Sequence, residues 1–426
     1  MRIRIRNGRL IDPKNRIDGA RDLYIAEGRI AGVGAPPGGF RADREVDAAG
    51  LVIAPGLVDL SARLREPGLE YKATLDSELY AAVAGGVTSL ACPPDTDPPL
   101  DEPGLVEMLT RRASSLHLAK IYPVGALTAK LEGERLAEMA MLHHAGCVAF
   151  SQADAPIQDT VVLWRALQYA ATLGYCVWLR PQDASVAREG VAHDGDVATR
   201  LGLPGIPAFA ETIGLATILE LVRATGTRVH LCRLSTAAGV AMVRQAKGEG
   251  LPVTSDVGMH HVHLSEIDLG NYDSHCHLVP PLRSLRDRDA LQAGVADGTI
   301  DAICSDHTPV DEDAKQMPFS ESAPGATGLE LLLPLTLKWA REKKISLAEA
   351  LARVTSEPAR ILKIDAGHLA PGAPADVCVF DPEAYVRVTP SSLRSQGKNS
   401  PFLGYELPGQ VRFTLVAGDI TYEARA

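Results

Sequence analysis

The sequence of 426 residues lacks several features that would assign the protein to a specialised class. It contains no apolar run approaching the roughly 20 residues that a membrane-spanning helix needs. It has no basic excess either, because 53 acidic residues outnumber 43 lysines and arginines and the formal net charge is −10. An acidic chain cannot readily neutralise the phosphates of a nucleic acid, so we expect no nucleic-acid partner. Because a membrane-spanning run is missing, we also expect no membrane partner.

Cysteine pairs are also missing. The seven cysteines are scattered singly, their number is odd, and no Cys-x-x-Cys motif occurs. The first residues alternate arginine with isoleucine and lack the apolar stretch of a secretory signal. These features predict a reduced, cytoplasmic protein in which Cys92, Cys147, Cys232 and Cys304 are small core residues.

The middle of the chain alternates strand patterns with helix patterns. Eight short apolar runs lie near residues 57–62, 87–92, 120–125, 147–151, 175–180, 228–233, 252–257 and 301–305. Helical patterns stand between most of them, such as the one that begins at Asp159 or Thr160 and ends at Gly174. This alternation predicts an α/β fold, a (β/α)₈ TIM barrel, with its chemistry at the carboxyl ends of the strands.

Both ends of the chain have the character of strands and turns. Asn7 and Gly8 predict a hairpin turn near the start, and residues 417–419 predict another near the end. We expect the two ends to form one composite β-sandwich domain. The predicted boundaries are residues 1–56 and 363–426 for this domain and residues 57–362 for the barrel.

A series of ordered motifs resembles a known family. The motifs are residues 55–68, 85–99, 146–150, 230–236, 256–261, 280–283, 305–309 and 325–330. Together they resemble the class I dihydroorotases of the amidohydrolase superfamily, which are cyclic amidohydrolases with a metal-bearing barrel and a split β-domain. The resemblance covers essentially the whole chain and implies the same two-part architecture.

The metal-ligand positions of that family are replaced in this sequence. In strand order they fall on Ser61 and Arg63, on Gln152 or Ala153, on Arg180, and on Arg233. A shift of one residue would bring Asp154 to the bridging acidic position after strand four. A hydroxyl is a poor ligand for zinc and a guanidinium group is not a ligand at all. We therefore expect no metal and no cofactor.

The resemblance also assigns the remaining site positions, which we interpret as vestigial. Asp306 matches the family's strand-eight acid, which is both a metal-site residue and the proton shuttle. Arg65, Asp95 and His307 match substrate-binding positions. Asp95 stands where the family has asparagine and would repel a bound carboxylate. Val279 replaces a second asparagine and offers no side-chain hydrogen bond.

The three strand-end arginines admit two interpretations. They could form a structural salt network with Asp59, Asp154 and Asp306, or they could bind an anion such as phosphate or a carboxylate. Arg65 could pair with the adjacent Glu66.

Five of the twelve histidines lie close together in sequence. They are His260, His261, His263, His275 and His277. They could build a relocated metal site, or they could belong to a polar loop at a protein interface.

The sequence most resembles the noncatalytic dihydroorotase-like proteins of bacterial pyrimidine biosynthesis. This resemblance implies a catalytically inactive homologue that is a structural subunit for the catalytic chain of aspartate carbamoyltransferase, in an assembly of six plus six chains. Two alternatives stay open. One is an active dihydroorotase, or another cyclic amidohydrolase, with a divergent zinc site that uses Asp306. The other is a small-anion sensor that uses the strand-end arginines.

Overall fold

The computed structural model describes residues 1–424, which begin with strands of a terminal β-domain. These strands are β1 (Ile3–Arg6), β2 (Arg9–Asp12), β3 (Ile17–Ala20), β4 (Leu23–Ala26), β5 (Arg29–Val33), β6 (Arg44–Asp47) and β7 (Val52–Pro55). Within the described residues, every helix is too short or too polar to cross a membrane.

The middle of the chain then alternates strands with helices. In chain order the elements are β8 (Leu57–Asp59), α1 (Leu75–Ala84), β9 (Val87–Cys92), α2 (Pro103–Leu116), β10 (Lys120–Ala126), α3 (Met139–His144), β11 (Ala149–Ser151), α4 (Thr160–Leu173), β12 (Cys176–Leu179), α5 (Ala184–Ala187), β13 (Ala192–His193), α6 (Asp196–Leu201), β14 (Gly205–Ile206), α7 (Phe209–Thr225), β15 (Arg228–Leu231), α8 (Ala237–Gly248), β16 (Val253–Gly258), α9 (Met259–His263), α10 (Leu285–Asp297), β17 (Ala302–Cys304), α11 (Glu312–Gln316), α12 (Leu332–Lys343), α13 (Leu347–Ala352) and α14 (Ser356–Leu362). The chain returns to the terminal domain with β18 (Val377–Arg387), β19 (Glu406–Val416) and β20 (Asp419–Glu423).

Eight parallel strands form the predicted barrel, in the order β8-β9-β10-β11-β12-β15-β16-β17. The first and last strands meet just beyond their carboxyl ends. There the amide of Arg63 donates to the carbonyl of His307 at 2.9 Å, and the amide of His307 donates to the carbonyl of Ser61 at 3.0 Å. The prediction of a (β/α)₈ barrel is confirmed, and its closure brings the residues after the first and eighth strands together.

Helix α4 shows how local sequence signals set the barrel helices. The Asp159 side chain caps its first turn by accepting from the amide of Val161, and Gly174 ends it with a φ of +69°. One face carries the buried residues Leu163, Ala166, Leu167 and Ala170. Because these positions recur at helical spacing, they form one apolar face that packs on the barrel. Helix α4 thereby connects β11 to β12.

The two chain ends form the predicted β-sandwich. A four-stranded sheet, β5-β4-β1-β6, faces a six-stranded sheet, β20-β19-β18-β7-β2-β3. Their shared core includes Ile3, Ile25, Ile53, Val379 and Leu415. The other face of the larger sheet packs on the barrel, where the Thr414 hydroxyl donates to the Val83 carbonyl.

The hairpin that we predicted at Asn7 and Gly8 is wrong. Strand β1 pairs with β4 and β6, whereas β2 pairs with β3 and β7 in the other sheet. The turn therefore carries the chain from one layer of the sandwich to the other. Turn residues specify a change of direction, but the partners of each strand are set by long-range burial of its apolar face.

Candidate functional site

The predicted site positions meet at the carboxyl ends of the barrel strands. Arg63 follows β8, Arg180 follows β12, Arg233 follows β15, and Asp306 follows β17. The three arginine side chains are buried, with 7%, 8% and 5% exposed respectively. The barrel therefore encloses three cations at the positions where the family resemblance would place metal ligands.

Asp154 lies at the centre of these cations. Its Oδ1 accepts from Nε of Arg180 and from Nη2 of Arg233, both at 2.5 Å. Its Oδ2 accepts from Nη2 of Arg63 at 2.7 Å. A single carboxylate therefore binds all three guanidinium groups, and these charge-assisted hydrogen bonds hold the ends of three different strands in one arrangement.

Two further carboxylates complete the cluster. Asp95 accepts from Nε of Arg63 at 2.6 Å. Asp306 accepts from Nη1 of Arg233 at 3.0 Å and lies 3.5 Å from Nη1 of Arg63. Three arginines thus face three aspartates, which we call the arginine network, and its formal charges cancel.

The local backbone explains why Asp154, rather than its neighbours, enters the network. Ala153 has a φ of +50°, a left-handed conformation that turns the chain after β11. Gln152 points away from the centre, because its amide bonds the Thr128 hydroxyl and the Leu131 carbonyl, both at 2.9 Å. Of Gln152, Ala153 and Asp154, only Asp154 therefore contacts the arginines.

Burial and charge act in opposite directions on the network carboxylates. Burial by itself would raise the pKa of Asp154, but Arg233, Arg180 and Arg63 hold that pKa well below its ordinary value. Burial raises the pKa of Asp306, and Arg233 and Arg63 oppose this shift only in part. Asp154 is therefore the firmly ionised member of the network, and Asp306 is the carboxyl that protonates more readily.

Comparison with known proteins identifies the family. Residues 50–238 match the family described as dihydro-orotase-like, and residues 182–421 match the amidohydrolase family. A dihydroorotase-like protein of Pseudomonas aeruginosa is 46% identical over 99% of this chain and 100% of its own length. The chain belongs to the dihydroorotase-like family of amidohydrolases. The predicted resemblance to this family is confirmed.

Other relatives are named dihydroorotase. A dihydroorotase of Geobacter sp. (strain M21) is 40% identical to this chain, and the alignment covers 100% of both. Among solved structures, an L-hydantoinase from Arthrobacter aurescens superposes with a TM-score of 0.88 at 24% identity, over 99% of this chain and 96% of the other. That likeness concerns the fold of the barrel and its composite domain.

A divalent metal does not fit the residues at these strand ends. Within residues 1–424, His, Cys, Asp and Glu side chains nowhere come together in a group of three or more that could hold a metal ion. One guanidinium group about 4 Å from a divalent cation would cost roughly 8 kcal/mol at an effective dielectric constant of about 20. A divalent cation at this place is therefore incompatible with Arg63, Arg180 and Arg233 as they lie.

The three predicted substrate positions all make contacts within the protein itself. Nε of Arg65 donates to the Pro309 carbonyl at 2.9 Å, and Asp95 belongs to the arginine network. Burial, followed by the charge of Arg63, lowers the pKa of Arg65 to about 10. His307 follows β17, and its completely buried side chain lies 2.7 Å from Glu78 of α1.

Two expected ion pairs are absent from the places where we predicted them. Asp59 binds none of the three network arginines; it accepts from the Ser305 amide at 2.8 Å and from the Ser305 hydroxyl. Burial raises the pKa of Asp59 to about 6. Glu66 pairs with Arg112, not with Arg65. In both cases the carboxylate binds a residue that is distant in the sequence. Such a pairing depends on the fold and could not be predicted from the sequence.

The five clustered histidines do not converge on one point, although His260 and His263 both pack against the ring of Phe402. His260 stacks on Phe402 with ring centroids 5.7 Å apart, His261 bonds the Pro280 carbonyl, and His277 stacks on Phe319. Burial lowers the pKa of His260 to about 3 and that of His261 to about 4. These side chains are neutral packing groups, and they do not converge on a metal.

The cysteines behave as core residues. All seven are free, and six of them are buried, the exception being the partly exposed Cys232. Burial raises the pKa of Cys92 to about 12, so this side chain is a neutral thiol at physiological pH.

We expect the purified protein to bind no stoichiometric zinc at the strand ends, because the arginine network fills that space with positive charge. Elemental analysis after incubation with Zn²⁺ and gel filtration checks this. A retained equivalent of zinc that the Asp306→Asn variant loses would contradict it.

Proposed function

We propose that this chain is a dihydroorotase homologue without hydrolase activity, and that it is a structural subunit for aspartate carbamoyltransferase in pyrimidine biosynthesis. The observation that carries the proposal is the position of Asp154 between three buried arginines. A class I enzyme needs a metal at this place to polarise the ring carbonyl and to generate hydroxide near neutral pH. The network offers neither a metal site nor a free base.

The condition of the rest of the fold supports an assembly role. The barrel is closed, the composite domain packs on it, and helices α1, α4, α8 and α10 have side-chain N-caps. Four site residues, Arg65, Ala153, Arg233 and Asp306, keep left-handed φ values between 46° and 63°. Such a backbone costs about 1 kcal/mol or more per residue and persists only where its surroundings enforce it. The backbone at the strand ends is therefore held in a definite conformation, which supports a role that requires the folded shape.

The anion-sensor alternative is less well supported. A cavity of about 320 Å³ does open beside Arg180 and Asp154. However, the Asp154 carboxylate already receives a hydrogen bond from each network arginine, so an incoming anion would meet occupied donors and a like charge.

We expect the chain to form a complex with aspartate carbamoyltransferase from the same organism, with six copies of each. Size-exclusion chromatography with light scattering measures the mass of the mixture, and transferase activity is assayed with and without this chain. Dihydroorotate hydrolysis is assayed in the same fractions with added Zn²⁺, beside an active dihydroorotase as control.

The possible results separate the alternatives. Co-elution of the two chains without hydrolysis supports the proposal. Hydrolysis by this chain would instead favour an active enzyme, as the names of several relatives suggest. A transferase that elutes alone with unchanged activity would contradict the structural role.

A further inference from the structure

Two loops at the carboxyl ends of the last barrel strands form one connected surface. Residues 264–277 lie in the loop after β16, and residues 311–324 lie in the loop after β17. The Ser274 hydroxyl donates to the Lys315 carbonyl at 2.5 Å, and Nζ of Lys315 donates to the Ser274 carbonyl at 2.8 Å. We call these two segments the acidic rim.

Large apolar side chains are exposed on the acidic rim. Ile267, Tyr272 and Met317 belong to it, and Tyr405, just before β19, faces its Asp268. Between 40% and 57% of each of these four apolar residues is exposed to solvent. Large apolar residues that are grouped on a surface and surrounded by charged residues are typical of a protein–protein contact.

Tyr272 is held in one position although its ring is exposed. Its backbone has a φ of +65°, and its hydroxyl donates to the Leu201 carbonyl, at the end of α6, at 2.6 Å. Because the ring is already fixed, its contact with a partner would cost little side-chain entropy. Preorganised aromatic side chains of this kind supply much of the affinity at many protein interfaces.

The loop that carries Tyr272 is also held by its own side chains. Asp268 accepts from the Ser265 amide at 2.8 Å, and Asp273 accepts from the His275 amide at 3.0 Å. These short-range hydrogen bonds fix the turns on either side of Tyr272. The acidic rim therefore presents the ring without rearrangement.

The acidic rim has an excess of negative charge. Its two segments contain seven acidic residues, and Lys315 is their only lysine or arginine. Since Lys315 is buried, the charges that face solvent are negative. Within residues 1–424, no lysine or arginine lies within ion-pair distance of these carboxylates, and Asp273 pairs with His275. Exposed carboxylates such as Glu312 and Glu321 are thus available to the cations of a partner.

We propose that the acidic rim is the surface by which this chain binds its partner in the assembly, and that the partner presents lysine or arginine side chains around an apolar contact. The inference rests on the structural role proposed above, in which the partner is the transferase chain. Ile267 and Tyr272 supply the apolar contact, and the carboxylates around them steer the basic surface into place. Two copies of this chain joined through the same surface would bring like charges together, so the charge favours a different, basic partner.

Binding of the intact chain to aspartate carbamoyltransferase from the same organism tests this inference. The Kd is measured at low and at physiological salt for wild type, for Glu312→Lys combined with Glu321→Lys, and for Ile267→Ser. The charge variant is expected to raise the Kd about tenfold at low salt and to lose most of the salt dependence that wild type shows. Ile267→Ser is expected to raise the Kd about fivefold and to keep the salt dependence, because it removes an apolar contact and no charge.

Two matched controls keep the test specific. Glu107→Lys combined with Asp419→Lys reverses two exposed acids on α2 and β20. Met141→Ser, on α3, truncates a side chain of the same exposed fraction, 57%, as Ile267. Both controls should bind as wild type does. Because every altered side chain is exposed, all variants should fold, which thermal unfolding checks.

The outcomes separate this inference from the proposed function. Wild-type binding that the rim variants leave unchanged, or that the controls weaken equally, overturns the inference and leaves the structural role standing. A wild-type chain that does not bind the transferase at all overturns both. A chain that is dimeric by itself and becomes monomeric with Ile267→Ser would assign the surface to a second copy and would also overturn the inference.

Discussion

Asp154→Asn is expected to lower the free energy of unfolding by about 3 kcal/mol, the lower end of the cost of removing one partner from a buried ion pair, because the three arginines are buried but the Asp154 side chain is 31% exposed. Asparagine keeps the size of the side chain but removes the charge that Arg63, Arg180 and Arg233 share. The three guanidinium groups would then repel one another with only two carboxylates left among them. Urea denaturation at pH 7 measures the difference.

The matched control for this variant is Asp289→Asn. Asp289 pairs with Arg288 at 2.8 Å, but its side chain is 58% exposed, so its loss should cost less than about 1 kcal/mol. Because the pKa of Asp154 is held below its ordinary value, its contribution should be complete above about pH 4 and should disappear on further acidification. An Asp154→Asn protein as stable as the control would show that the network contributes little to folding.

The buried histidines are expected to make the protein sensitive to mild acid. His260 and His261 have pKa values of about 3 and about 4 in the folded protein. In the unfolded chain a histidine titrates near pH 6.5, so between pH 6.5 and 4.5 the unfolded state takes up the protons. Each of the two side chains should therefore remove roughly 2 kcal/mol of stability over this interval.

Denaturation curves at several pH values check this expectation. The variant His260→Phe keeps an aromatic ring against Phe402 and removes one titrating group, so its stability should fall less steeply with acid. His144→Gln changes an exposed histidine and should leave the wild-type slope unchanged. Parallel curves for wild type and His260→Phe would contradict the assignment of His260 as a buried neutral group.

The barrel could be predicted because its signals are local and repeated. Each barrel strand is a short apolar run, and helix α4 begins at Asp159 and ends at Gly174 as its capping residues indicate. The replacement of the family's metal ligands could also be predicted, because it requires only a comparison of residue types at the motif positions. These positions are Ser61, Arg63, Arg180 and Arg233. The hairpin at Asn7 could not be judged in this way, since strand pairing is a long-range property.

Residue patterns along the chain were thus enough to predict the fold class, the family, and three cations at the positions where the family binds its metal. Which anions pair with these cations depends on the three-dimensional arrangement of the chain. Asp59 and Glu66 have the right charge but bind Ser305 and Arg112 instead, because reach and burial depend on side chains distant in the chain. Asp154 lies at the centre of the arginine network because the backbone at Ala153 has a left-handed conformation. That torsion angle is set by the packing around the residue.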